Sequence, residues 1–309
     1  MRTRLIFILK LVVVVGLFYF LLNHIGISVL IATVSQARYS YFIYLVLLWP
    51  LALAAVTWRW QLMLRVNGVL ASYAFLYYLY WTSSFFTHFL PAGVGGDVYR
   101  FVRLQRRNSS PKAEILSSIV LERAFGVFAM ALFVSFFGMA FTNQIRENMF
   151  LFATYGAIIA GMIVFVIIFL NLRRLRLDLR RWPGLLDHLR AFLSRCRIET
   201  MSHFFKGTVS SCLALFIAVG SIKILFLALG YPSDFLLLLY LVPLINFTEI
   251  IPISINALGI KEGAAVYLFL LFGYPAEVTF SVFLINRLLY LIVSLIGGLG
   301  SLWKPQRAS

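Results

Sequence analysis

The stretch Leu70–Asp97 reads LASYAFLYYLYWTSSFFTHFLPAGVGGD. Its first part is an apolar, aromatic-rich run of about the length a helix needs to cross a bilayer core of roughly 30 Å. It then runs into Pro91-Ala92-Gly93-Val94-Gly95-Gly96-Asp97. Proline and clustered glycines break a helix and free backbone groups. Within a membrane such a break is tolerated only where protein or a watery cavity receives those groups. A second stretch, Phe235–Gly259, has the same character: FLLLLYLVPLINFTEIIPISINALG, broken from Pro252 to Gly259 and resuming through Phe272.

Around these two stretches lie plainer apolar runs at Leu5–Leu22, Tyr41–Val56, Ile115–Phe141, Phe150–Leu170, Val209–Leu229 and Thr279–Leu302. Over the 309 residues, 62% are hydrophobic and 12% charged. An average soluble domain carries about 25% charged residues, so a soluble globular, disordered or fibrous chain is excluded. The expected fold is all-α and polytopic, a single membrane domain of about six full spans plus two re-entrant broken-helix hairpins. Met1–Phe20 resembles a signal peptide at its basic start, but it reads as an uncleaved first span.

The net charge is +16. In a chain this apolar, such a charge points to an anionic membrane surface rather than to nucleic acid. Lys and Arg in short loops set orientation. Arg2, Arg4 and Lys10 put the N-terminus on the cytoplasmic side, and Lys304 and Arg307 do the same for the C-terminus. Arg59 and Arg65 read as cytoplasmic after the second span, as do Arg100, Arg103, Arg106, Arg107 and Lys112 after the first broken stretch. With both its ends inside, that stretch must enter, turn near Pro91–Asp97 and return. Residues 171–207 carry nine basic residues and read as a cytoplasmic linker. Parity then makes the second broken stretch a hairpin entered from outside. The expected location is a bacterial-type cytoplasmic (inner) membrane.

The two broken stretches resemble each other. Phe86, Thr87 and Pro91 recur at the same spacing as Phe247, Thr248 and Pro252. Pro111 and Pro275, like Arg123 and Arg287, stand 164 residues apart. Residues 5–141 and 150–302 thus read as two halves of an inverted repeat, an architecture that puts a binding site near the midplane, between broken helices.

Four basic residues fall at membrane depth, Arg123, Lys223, Lys261 and Arg287, beside the acids Asp97, Glu122, Glu249 and Glu262. Each charge near a helix centre costs about 2.5–3.5 kcal/mol on insertion scales. Internal pairing accounts for some of them, for instance Lys261 with Glu249, or Glu122 with a basic neighbour. Glu122, Glu249 and Lys223 are therefore charge-balance candidates. The functional reading is an anion site: Arg123 and Arg287 suit a phosphate, and glycines at the tips let backbone N–H groups approach it. No metal-ligand spacing occurs among His24, His88, His188 and His203, and Cys196 and Cys212 exclude a disulfide framework. No cofactor is expected. Gly93-Val94-Gly95-Gly96 follows no strand and is not a dinucleotide fingerprint.

Leu90-Pro91-Ala92-Gly93-Val94-Gly95-Gly96-Asp97-Val98-Tyr99-Arg100 resembles the L-P-G-G-I-G-G-D-x-x-R signature of the lysylphosphatidylglycerol synthase transmembrane-region family. Glu122-Arg123-Ala124-Phe125-Gly126 is similar to its following D/E-R-x-x-G helix. Pro252 through Gly259-Ile260-Lys261-Glu262 is similar to its second element, with Lys261 in place of an arginine, and Asn286-Arg287 to its closing arginine. The resemblance covers residues 5–300 and extends to the membrane half of the multiple peptide resistance factor. It implies a flippase-like role toward an anionic phospholipid or lipid-linked phosphate, and no enzyme activity. The soluble transferase domain is expected to be absent, since the chain ends at Ser309. The implied headgroup site gathers Arg123, Arg287, Lys261, Gly93, Gly95, Gly96, Asp97, Arg100, Gly259 and Glu262, with helix breaks at Pro91 and Pro252. Expected partners are an anionic lipid and the bilayer, with a separate soluble transferase and a second copy of the chain as further candidates. Two rival readings remain: a membrane transferase using Asp97 or Glu262 as base, and a non-catalytic partner of a synthase or glycosyltransferase.

Overall fold

The computed structural model describes residues 32, 35, 37–88, 94–107, 112–171, 201–250 and 257–300. The expected first span, most of the basic linker, and Pro91, Gly93 and Pro252 lie outside them. The described residues are helical, with no strand. The helices are α1 (Ser40–Val66), α2 (Tyr73–Thr87), α3 (Val94–Arg107), α4 (Lys112–Gly138), α5 (Thr142–Glu147), α6 (Met149–Asn171), α7 (Met201–Ala228), α8 (Phe235–Asn246), α9 (Ile260–Leu270) and α10 (Ala276–Gly300). Short 3-10 turns follow α4 and α8.

Five helical stretches are long and apolar enough to cross a membrane: Ser40–Val66, Lys112–Glu147, Met149–Ile167, Ser202–Ala228 and Ala276–Leu299. The protein is thus a multi-pass, all-α membrane protein. By contrast α2, α3, α8 and α9 have 15, 14, 12 and 11 residues. At 1.5 Å per residue they fall short of a bilayer core. They form two antiparallel pairs. Phe75 meets Arg107, Tyr80 meets Arg100, and Phe86 stacks on Tyr99, so α3 returns along α2. On the other side Tyr240 meets Phe272 and Glu249 meets Lys261, so α9 returns along α8.

Local chemistry sets the ends of these pieces. Asp234 caps α8 by accepting the Leu236 N–H at 3.0 Å. Gly259 takes φ +80°, a left-handed conformation that glycine adopts without steric cost, and starts α9. The carboxylate of Glu262 reaches back to the Gly259 N–H at 2.8 Å.

Helix pairs in lipid are held by close packing and polar ties, because lipid is as apolar as leucine. α1 and α7 lie antiparallel: Arg38 N–H donates to Ala228 O at 2.7 Å, and at the other end Arg59 Nη1 donates to Ser211 Oγ at 3.1 Å. Each short pair also grips a long helix from the other half of the chain. Trp81 Nε1 of α2 donates to Val293 O of α10 at 3.2 Å, and a Cβ on Gly297 would sit 2.5 Å from Trp81 O. Correspondingly, a Cβ on Gly138 of α4 would sit 3.1 Å from the Tyr240 ring of α8.

One expectation changes here. Arg59 does not lie in a loop after the second span. α1 runs on to Val66, and Arg59 is buried in it. A buried guanidinium is sustainable in that helix because the Glu122 carboxylate faces it.

Candidate functional site

α4 brings Glu122 to the interior, 1% exposed. Three groups from three other helices close on it. Arg59 Nη2 of α1 donates to Oε1 at 3.0 Å, Tyr80 Oη of α2 donates to Oε1 at 2.6 Å, and Arg100 Nη1 of α3 donates to Oε2 at 2.8 Å. Arg100 also lies over the rings of Tyr80 and Trp60, at 4.1 and 4.6 Å from their centroids. Such cation–π contacts strengthen when desolvated. Two buried cations around one carboxylate would leave excess charge, and Asp97 supplies the second anion. Its Oδ1 accepts from Arg100 and its Oδ2 from Arg123 at 2.5 Å. Asp97 and Arg100 share a face of α3 at i,i+3. Asp97 sits in the first turn, where the helix dipole favours an acid.

Gly96 makes this possible. A Cβ there would lie 2.9 Å from Ser83 O and 2.5 Å from Thr87 Oγ1. Only glycine lets α3 come this close to the α2 backbone. Gly96→Ala is expected to lower stability by about 1–3 kcal/mol, the range for overpacking. Thermal unfolding in detergent measures this, and an unchanged midpoint would mean that α2 and α3 separate without cost.

The second half carries a related cluster. Arg287 Nε of α10 donates to Glu262 Oε1 at 2.5 Å, and Glu262 is 1% exposed. Lys261 pairs with Glu249 at 2.5 Å. In both halves an arginine on the long closing helix reaches an acid in the first turn of the short helix before it. Glu249 pairs with Lys261 and lines the same cavity as Arg123, and so links the two clusters.

Between the clusters lies a cavity of about 320 Å³. One wall holds Arg59, Tyr80, Gly96, Asp97, Arg100, Glu122 and Arg123; the other holds Asn246, Glu249, Ile250 and Tyr290. Gly126 leaves room beside the Arg59 guanidinium, 3.4 Å from where a Cβ would stand. Asn246 Oδ1 has no hydrogen-bond partner among the described residues.

The anticipated residues therefore divide. Arg123, Asp97, Arg100, Gly96, Glu122 and Glu249 line the cavity. Lys261 reaches it through its pair with Glu249, and Arg287 and Glu262 pair with each other between α10 and α9. Gly259 shapes the start of α9, and Gly95 is buried in α3 outside the lining. Lys223 stands apart and donates to the Ser233 carbonyl. Arg100, counted with the cytoplasmic cluster, is 3% exposed and belongs to the site. Arg59, Tyr80 and Tyr290 were not anticipated as site residues. The one signal for Arg59 is that it stands 164 residues before Lys223, in repeat register.

Among the lining charges, Arg59 and Arg100 are locked on Glu122, with side chains 11% and 4% exposed. The Arg123 side chain is 46% exposed and lines the cavity. Bidentate guanidinium geometry suits a phosphate or carboxylate there.

Fold and site together define a multi-pass α-helical membrane protein with a charged chamber framed by short broken helices. Residues 7–298 match the family model of the lysylphosphatidylglycerol synthase TM region, and the chain belongs to that family. A search of curated proteins finds no match. Membership implies a membrane-embedded, lipid-related function.

Proposed function

We propose that the protein translocates an anionic phospholipid or a lipid-linked phosphate across the membrane, in the manner of a flippase. The observation that carries this reading is Arg123, held by Asp97 yet half exposed in the lining of a cavity between two broken-helix pairs. The pairs act as re-entrant hairpins of an inverted repeat. Adding 164 to the bounds of α1, α2, α3 and α4 gives 204–230, 237–251, 258–271 and 276–302. These ranges overlie α7, the α8 region, α9 and α10 within a few residues. The antiparallel setting of α1 and α7 is the relation an inverted repeat requires. In this reading the headgroup sits at Arg123 near the midplane, the membrane is the cytoplasmic one and both termini are cytoplasmic.

Transferase chemistry at Asp97 or Glu262 is the less favoured reading. Both oxygens of each carboxylate already accept hydrogen bonds: Asp97 from Arg100 and Arg123, Glu262 from Arg287 and Gly259. The two carboxylates thus hold guanidinium and backbone groups in place.

The test is reconstitution. Purified protein in phosphatidylcholine vesicles doped with fluorescent phosphatidylglycerol is expected to expose inner-leaflet label to a membrane-impermeant quencher. Quenching no greater than in protein-free vesicles would defeat the proposal.

A further inference from the structure

A second cavity, of about 520 Å³, lies against the charged chamber between α4, α6 and the turn after α8. Thr154 is its polar lining side chain, and that hydroxyl is already donating to Phe150 O at 2.7 Å. Both walls pass from one cavity into the other without interruption. On α4, Arg123, Val127 and Ala131 share one face at i, i+4 and i+8. Arg123 lines the chamber, Val127 lines both cavities, and Ala131 lines the apolar one. On the turn after α8, Glu249 lines the chamber, Ile250 both, and Phe247 the apolar cavity. At 1.5 Å per residue the α4 face rises about 12 Å from Arg123 to Ala131. That is a polar-to-apolar gradient on the scale of one amphiphile.

We infer that this groove seats a hydrocarbon chain of the same lipid whose phosphate sits at Arg123. The inference rests on the proposed function and assigns the place of the substrate's hydrocarbon chain, with the amphiphile taken sideways from the bilayer. The geometry of α6 fits such an occupant. Its spanning window is 6% buried, so it faces lipid. A Cβ on Gly161, which lines the groove, would meet nothing within 4 Å, so space is open there. Phe165 stacks on Phe128 at 5.1 Å and closes one end.

The test uses the full chain in vesicles and in detergent. Gly161→Trp fills the groove without touching the charged chamber. Excluding a few methylenes in this way is expected to slow scrambling of long-chain fluorescent phosphatidylglycerol about tenfold. Binding of the chain-free headgroup glycerophosphoglycerol to the purified protein is expected to be unchanged. Arg123→Ala is expected to lose both. If Gly161→Trp scrambles like wild type while Arg123→Ala does not, the groove assignment falls and the headgroup site stands. If Arg123→Ala also scrambles like wild type, the headgroup site itself falls. A photoreactive side chain at Ala157, also in the groove, covers a Gly161→Trp chain that fails to fold. Capture of a lipid chain supports the inference, and capture of a second protein chain, or of no lipid, overturns it.

Discussion

Replacing Glu122 with alanine is expected to cost about 3–5 kcal/mol of stability, the range for removing one partner of a buried ion pair. The reason lies in what remains. Arg59 and Arg100 are 9% and 3% exposed and cannot turn to water. Glu122 accepts from both, and from Tyr80. Without it Arg100 keeps Asp97, but among the described residues Arg59 keeps Ser211 alone. Four helices, α1 to α4, lose their common anchor. Glu122→Gln keeps the shape and an acceptor but removes the charge, and should fall between wild type and alanine. Thermal unfolding of the solubilised protein reads both. A Glu122→Ala protein within about 1 kcal/mol of wild type would mean that the buried guanidiniums find other partners.

Arg123→Ala and Arg287→Ala, equivalent by sequence register, are expected to fail in different ways. Arg123 is half exposed, and its partner Asp97 retains Arg100 when the side chain is cut. The protein should therefore fold like wild type. A lost hydrogen bond between charged groups is worth about 1.5–3 kcal/mol, so lipid scrambling should drop about 10- to 100-fold. Arg287 is 14% exposed, and Glu262 behind it 1%. Cutting Arg287 leaves a buried carboxylate with the Gly259 N–H as its remaining donor. That should cost about 3 kcal/mol and reduce the folded yield. Arg287→Lys, which keeps a charge, should recover most of the stability. Scrambling normalised to folded protein, beside a melting curve, separates the two outcomes. Equal melting points and equal scrambling for the two alanine variants would show that the register, and not the burial, governs their roles.

Much of the frame is legible in the chain alone. The long helices follow from apolar runs, and the short ones from the prolines and glycines near Pro91 and Pro252, although α3 already begins at Val94, inside the stretch expected to turn. The pairing of Lys261 with Glu249 is legible too, because the two residues flank one break. Arg123 is legible from its depth and its repeat partner. What the sequence misassigns is equally specific. Arg59 looks like a topology determinant alone, and Arg100 like both a topology determinant and a site residue, because each stands near other basic residues and a count of Lys and Arg treats all of them alike. Burial separates them: Arg100 is held between two rings and two carboxylates, whereas Arg107 of the same helix is exposed. Tyr290 gives no signal in sequence, as one aromatic among many in an apolar helix.

Length, hydropathy and helix breakers are local properties. They suffice to determine an all-α membrane protein with two interrupted segments, and they place Arg123, Asp97 and Glu262 near the breaks. Which carboxylate meets which guanidinium depends on how each helix is rotated and how deep it sits. A membrane helix apolar on all sides carries almost no periodicity to reveal either. The meeting of Arg59 with Glu122, 63 residues apart, and the pairings of Arg123 with Asp97 and of Arg287 with Glu262 were therefore decided by the packing of the helices alone.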